Sequence, residues 1–335
     1  MSEQPPAVPL DGTARPEAVF EALELAIRRR LPGRLHGDQQ GLRLGSGSSP
    51  EEVVRYRPGE DDVRRIDWNV TARAAGDPHV WRPLAEHELE AWVLVDATPS
   101  MQFGTAHLEK QHVATGVVAA ISLLTAGPGN RVGTAHLTTH GLEWSQPLPS
   151  RAAAHRALRR PFPERPGPTR GRAPAGPPLD EALRQFAARH RRPGLRVVVT
   201  DLLEPDGRVE RPFPWETPLR RLAASHETLV VEVVDPRELE LPDVGAVTLV
   251  DPETGRRREV HTSDRRLRET YAAGTAAHRA ATAEAVRAAR AGHVLLRTDR
   301  DWVRDLARHV HGAPLRHGGP VAPGPASHAL PGGTR

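Results

Sequence analysis

Hydrophobic and polar positions change their rhythm along this chain. Near the amino end, Pro16 can open a helix at its first position, and Val19, Phe20, Leu23, Ile27 and Leu31 recur at helical spacing before Arg28 to Arg30 and Gly33 close it. One face of that helix is expected to pack. From Glu51 to Ala85, short β-like pieces such as VVRYRPGEDDVRRIDW and HVWRP alternate with turn residues, predicting a small β-rich leader. Strand and helix then take turns. Trp92 to Val95 is a short apolar run ending at Asp96, and His107 to Ala126 is apolar on most of its circumference, as a buried helix would be. Further strands are expected at Arg131 to Leu137, with Gly141 to Gln146 beside it, and at Leu195 to Thr200, Thr228 to Val234 and His293 to Arg297. Helices are expected at Leu179 to His190, Pro218 to Ser225, Ser263 to Ala291 and Asp301 to His309.

This alternation predicts an α/β fold: a doubly wound, mostly parallel sheet of about six strands with helices on both faces. The chain divides into a disordered tail over 1–15, a helix and β-rich leader over 16–88, the α/β domain over 89–310 and a second tail over 311–335. Two insertions interrupt the domain: a Pro/Arg-rich loop over 161–178, read as solvated, and a hairpin over 245–261 whose turn is carried by Pro252 to Gly255.

Composition narrows the classes. Of 335 residues, 38% are hydrophobic and 26% charged, as in a globular chain. The pI near 10.3 overstates basicity: Lys110 is the only lysine, arginine titrates too high to neutralise a small excess, and the net charge is only +4. With 46 basic residues set against 42 acidic ones, a nucleic-acid partner is not expected. The absence of cysteine excludes disulfides, thiolate metal sites and thiol nucleophiles. No signal peptide is visible, and the longest apolar stretch, Val113 to Ala126, is too short and interrupted to span a bilayer, so a cytoplasmic location is expected.

Candidate chemistry sits at strand ends, where sheets of this class present their ligands. Asp96, Thr98 and Ser100 follow the first apolar strand as D-A-T-P-S, and Asp201 ends the strand LRVVVTD. Two carboxylates and two hydroxyls suit a hard cation such as Mg²⁺ or Mn²⁺. The plainer alternative is that Asp96 and Asp201 only cap the turns that follow them.

The same residues carry a resemblance. D-A-T-P-S-M, followed later by V-V-V-T-D, resembles the metal-ion-dependent adhesion site of von Willebrand factor A domains. More specifically, YRPGEDDVRRIDWNVTAR at Tyr56 to Arg73, then D-A-T-P-S-M-Q-F-G, DPRELELP and DPETG, is similar to the bacterial domain-of-unknown-function family 58, from about Gly41 to about His309. That resemblance implies a von Willebrand factor A-like core and a MoxR-type AAA+ ATPase as partner, with which members act in assembling or activating other complexes. It also implies metal ligation by Asp96, Thr98, Ser100 and Asp201, but Pro177 stands where the family's threonine ligand belongs. Proline offers no side-chain oxygen; Thr169 or water would have to replace it.

The function expected is therefore that of a non-enzymatic adaptor or scaffold. A metal-independent scaffold using Tyr56 to Arg73 and a metal-dependent hydrolase are the alternatives. Asp61, Asp62, Arg64, Arg65, Asp67, Trp68 and Arg73 read either as a docking surface or as a salt-bridge network fastening the leader to the core with Trp68 buried. His136 and His140, on a strand and turn without a carboxylate cluster, read as scattered surface histidines. No G-x-S-x-G is present, and Gly41, Gly45 and Gly47 lack the Lys-Ser/Thr of a P-loop, so no catalytic residue is expected.

Overall fold

The computed structural model describes residues 8–10, 14–30, 51–58, 63–73, 77–83, 89–105, 108–161, 176–189, 191–204, 206–250 and 257–312. Their elements run α1 (Pro16–Arg30), β1 (Glu51–Arg55), α2 (Trp68–Arg73), β2 (His79–Pro83), β3 (Glu90–Asp96), α3 (Lys110–Leu124), β4 (Arg131–Thr138), β5 (Gly141–Pro149), α4 (Ser150–Arg159), α5 (Leu179–Arg189), β6 (Leu195–Thr200), α6 (Glu216–Ser225), β7 (Glu227–Val234), α7 (Pro236–Leu239), β8 (Ala246–Val250), β9 (Arg257–His261), α8 (Arg265–Ala288), β10 (Gly292–Arg297) and α9 (Trp302–Gly312).

Six strands form one sheet in the order β10-β7-β6-β3-β4-β5, parallel throughout except for β5, which runs against β4. The chain starts this sheet in the middle, at β3, goes outward through β4 to β5, then returns to β6 on β3's other side. The point where direction reverses therefore lies between the carboxyl ends of β3 and β6, the crevice such sheets use for ligands.

The apolar runs explain why both faces are covered. Along β3, Ala91, Val93 and Val95 enter one core, together with Phe20, Leu23 and Ile27 of α1, Val117 and Ile121 of α3, and Val303 and Leu306 of α9. The alternate residues Trp92 and Leu94 enter the other, with Leu183 and Phe186 of α5, Leu219 and Leu222 of α6, and Val286 of α8. Period-two alternation thus feeds two buried layers rather than one buried and one wet face. Close packing shows at Gly133 of β4, where a Cβ would stand 2.6 Å from ring carbons of Trp92.

The strands and helices expected from the sequence are present, and three helices are added to them: α2, α4 and the four-residue α7. Helix α4 was not expected: its sequence, SRAAAHRALR, lacks a stripe of large apolar residues, and only Ser150, Ala153 and Ala154 are buried. The leader contains an antiparallel pair, β1 with β2, as anticipated, but also the short helix α2. The β8–β9 hairpin occurs at Ala246 to His261, and its turn at 251–256 lies outside the described residues. No helix among the described residues is long and apolar enough to cross a membrane.

Candidate functional site at the carboxyl ends of the central strands

Residue Asp96 is the last of β3, and the chain leaves it through a single 3₁₀ turn at Pro99–Gln102. That turn folds the D-A-T-P-S hydroxyls back on the carboxylate. Thr98 donates to Asp96 Oδ1 from its backbone N at 3.0 Å and from Oγ1 at 2.6 Å, and Thr98 Oγ1 lies 3.2 Å from Ser100 Oγ. Thr200, the last residue of β6, donates from Oγ1 to Asp96 Oδ2 at 2.8 Å across the switch point. Both aspartates do cap their turns, since Asp201 Oδ1 accepts from Leu203 N at 3.0 Å. Capping and clustering coexist, because Ser100 also hydrogen-bonds to Asp201. The structure thus brings Asp96, Thr98, Ser100 and Asp201 into one group, in which Asp96, Ser100 and Asp201 are buried and Thr98 is half-buried.

Motif spacing does not point to the rest of the site. Lys110, the chain's only lysine, opens α3 and is wholly buried, with Nζ 2.8 Å from Asp201 Oδ2 and 2.5 Å from Glu238 Oε1 of α7. Beyond it, Asp235 follows β7 as the cap of α7 and accepts from Thr105 N at 2.8 Å, Thr105 Oγ1 at 2.5 Å, Arg237 N at 2.9 Å and Thr298 Oγ1 at 2.7 Å. Glu238 Oε2 accepts from Asp235 N at 2.9 Å, closing a capping box. The motif DPRELELP that carried the family resemblance therefore supplies a second, half-buried carboxylate to Lys110.

The electrostatics follow from these contacts. Burial, with the Asp201 charge added, raises the Asp96 carboxyl to about 6, against the hydrogen bonds from Thr98 and Thr200. Burial would raise Asp201 too, but the Lys110 ammonium outweighs it and holds Asp201 below the ordinary carboxylate range. Burial and Asp201 push Glu238 up despite Lys110. Burial alone would depress Lys110, yet its two carboxylates raise it. Negative charge is thus neutralised at Asp201 and left uncompensated at Asp96, where among the described residues no cationic side chain is paired.

For a divalent cation the fit is partial. Asp96, Thr98 and Ser100 offer one carboxylate, two hydroxyls and residual negative charge, whereas Asp201 already serves an ammonium and Pro177 contributes no side-chain oxygen. Thr169 lies outside the described residues. No group of three or more His, Asp or Glu side chains placed for a metal is found among the described residues.

Two exposed apolar side chains stand on the loops that leave these strands: Phe103 after β3, 38% exposed, and Leu203 after β6, 42% exposed. Leu202 between Asp201 and Leu203 is buried with φ of 57°, an uncommon conformation for a branched residue. Glu204, next along, is raised to about 7 by burial and by the charges of Asp206 and Asp180.

The leader residues are placed differently from the expectation. Asp67 caps α2, its Oδ1 accepting from Asn69 N at 2.8 Å and Val70 N at 3.1 Å. Trp68 is 69% exposed rather than buried, because as the first residue of a six-residue helix with Thr71 turned inward it points away from the body. Arg64 and Arg73 are exposed, while Asp61, Asp62 and the side chain of Arg65 lie outside the described residues. His136 is not a surface histidine: it is half-buried, and its Nδ1 is wholly enclosed.

Several known proteins are similar to this chain. Uncharacterised proteins of Mycobacterium tuberculosis and Mycobacterium bovis are each 44% identical to it over 298 residues, 88% of this chain and 88% of theirs. Among solved structures, the VWA domain of SpRpn10 covers 70% of this chain and all of its own at 13% identity and a TM-score of 0.35. A von Willebrand factor type A structure from Catenulispora acidiphila covers 57% of this chain and 43% of its own, at 18% identity and a TM-score of 0.31. The family described as protein of unknown function DUF58 matches residues 52–281, a span that takes in the leader, Asp96, Lys110, Asp201 and Glu238 alike, and the chain belongs to that family.

Proposed function

We propose that this protein is a non-enzymatic binding module whose partner docks on the carboxyl ends of β3 and β6, and that the partner is a MoxR-type AAA+ ATPase with which it assembles or activates other complexes. The observation that carries the reading is the pairing of an uncompensated buried carboxylate, Asp96, with exposed Phe103 and Leu203 on the two flanking loops. Exposed apolar side chains are the usual anchors of an interface core, and a buried charge left unmet beside them is completed only by a group that the partner or a bound ion brings. The hydroxyls of Thr98 and Ser100 are engaged with carboxylates rather than with a histidine base, which favours binding over hydrolysis.

In this reading Asp96, Thr98 and Ser100 hold a Mg²⁺ or Mn²⁺ ion, and Asp201 orients Ser100 while acting as counter-ion to Lys110. The cation would supply a coordination position for a carboxylate of the partner. Binding of the protein to the MoxR-type ATPase encoded nearest to it tests this, measured in Mg²⁺ and in EDTA. Asp96→Ala and EDTA should each weaken binding, and Leu203→Glu should do so in either buffer. Undiminished binding in all three cases would refute the reading.

One observation favours a second, metal-independent surface: Trp68 is 69% exposed and Val63 of the same leader is 59% exposed. If the leader is the contact, Trp68→Ala abolishes binding while EDTA leaves it intact.

A further inference from the structure

A cavity of about 760 Å³ lies between helices α3 and α4 and the face of the sheet formed by β3, β4 and β5. It exists because the elements around it are lined with small residues: Ala114 on α3, Thr134 on β4, Ser145 on β5, and Ala152, Ala153 and Ala157 on α4. Val95, Val118 and Leu148 make its wall apolar, and Asp96 and Ala97 close one end. A volume of this order accommodates a drug-sized molecule.

Its polar groups are asymmetric. Arg156 Nη2 and His136 Nδ1 are both buried there without a hydrogen-bond partner among the described residues. An unmet buried donor is costly, and a charged one more so. The neighbouring arginines are engaged elsewhere: Arg159 pairs with Glu17, and Arg160 Nη2 lies 2.7 Å from Glu143 Oε2. His155 stacks on Phe20 with ring centroids 3.8 Å apart. Burial, with Arg160 and Arg156 adding to it, holds His136 at about 3, so that it is neutral in ordinary buffers. Burial and Arg160 also lower Arg156, but a guanidinium stays protonated. The lining therefore carries one cation, that of Arg156, without an ion-pair partner among the described residues, beside a neutral imidazole.

We propose that this cavity binds an organic monocarboxylate with an apolar body, its carboxylate on Arg156 and His136 and its body against Val95, Val118 and Leu148. One unpaired guanidinium matches a monoanion, and the Asp96 carboxylate at the cavity's end disfavours a second negative group. The cavity shares Asp96 with the proposed docking surface, but the groups proposed to take the carboxylate, Arg156 and His136, are not part of that surface, and the test needs no partner protein.

The full-length protein is titrated calorimetrically with decanoate, and separately with decanol, which keeps the body and removes the charge. Saturable one-site binding of decanoate is expected, weaker by about tenfold or more for decanol and for decanoate on Arg156→Met, which exchanges a charged hydrogen bond for a thioether. Arg156→Lys keeps the cation and should retain part of the affinity. Decanol binding as tightly as decanoate would overturn the proposal, as would no decanoate binding to wild type; that comparison holds even if the variants fold poorly. The chain's own Glu164, the sole acid of the segment that follows Pro161, is the rival occupant. Decanoate binding that appears only in Glu164→Gln would assign the cavity to it and overturn the proposal.

Discussion

Replacing Lys110 with methionine keeps the length of the side chain and removes the one ammonium that Asp201 and Glu238 share, at 2.8 and 2.5 Å. Lys110 and Asp201 are 0% and 1% exposed, so water cannot take the ammonium's place without opening the switch point. Breaking a buried pair by deleting one partner costs about 3–5 kcal/mol, chiefly because the remaining charge stays buried. Against a total stability of roughly 5–15 kcal/mol, and at about 2–4 °C per kcal/mol for a domain of this size, the melting temperature should fall by about 10 °C. The sign with pH is specific. In wild type, Asp201 is held low, so its contribution is present above the ordinary aspartate value and lost as pH falls through its folded one. Lys110 is raised, so its contribution is full below the ordinary lysine value and lost only as pH rises through its folded one. In Lys110→Met both carboxylates rise and bind protons in the folded state, so the variant recovers stability as pH falls. Urea titrations of both proteins at pH 7.5 and pH 5 should therefore show a wide gap at the first and a narrower one at the second. Lys110→Met/Asp201→Asn should recover part of the loss at pH 7.5. A deficit under about 1 kcal/mol, or one equal at both pH values, would refute the electrostatic role given to Lys110.

Loss of the ammonium also leaves Asp201 and Glu238 without their shared cation beside the uncompensated Asp96, so Mn²⁺ should raise the melting temperature of Lys110→Met more than that of wild type; equal shifts would contradict this. Gly133→Val places branched atoms where ring carbons of Trp92 already stand 2.6 Å from a Cβ, and should cost about 1–3 kcal/mol in urea unfolding; a neutral result would mean that Trp92 moves freely. His136, held at about 3 against an ordinary 6.5, must be neutral to stay buried, so its folded pKa is depressed and stability falls as pH drops below 6.5, by at most ~1.4 kcal/mol per unit. His136→Gln should flatten that slope between pH 6.5 and pH 4. Phe103→Ser and Leu203→Ser, being surface changes, should shift stability by less than about 0.5 kcal/mol while weakening the partner complex.

The sheet was legible because its strands are continuous apolar runs between turn residues, and Asp96 and Asp201 were legible because each ends such a run. Lys110 was not: in sequence it is a single cation before an apolar helix, and only the return of β7 and α7 brings Glu238 to it from 128 residues away. Asp235 was hidden for the same reason, since its partners Thr105 and Thr298 lie far off on either side. Helix α4 escaped notice because Ala and Arg favour helix by propensity rather than by an apolar stripe. The same lack of large side chains leaves the cavity beneath it, so one composition accounts for both the missed element and the missed site. Trp68 misled in the other direction, as indoles are usually covered, and a short capped helix turned this one outward.

Three aspartates stand at the carboxyl ends of three adjacent strands, Asp235 just after β7, Asp201 just after β6 and Asp96 as the last residue of β3, and each buried charge is met differently. Asp235 has four hydrogen-bond donors, two of them backbone N–H groups, and lies below the ordinary range despite burial. Asp201 has an ammonium. Asp96 has hydroxyls and one backbone N–H, and it alone among the three is raised, to about 6. Compensation is therefore weakest at Asp96, the one of the three that borders the cavity between α3, α4 and the sheet. A fold needing these carboxylates only as caps would gain by neutralising Asp96 as fully as the other two. Leaving the deficit at the one of the three that borders a cavity is the arrangement expected if what completes the charge there comes from outside the chain.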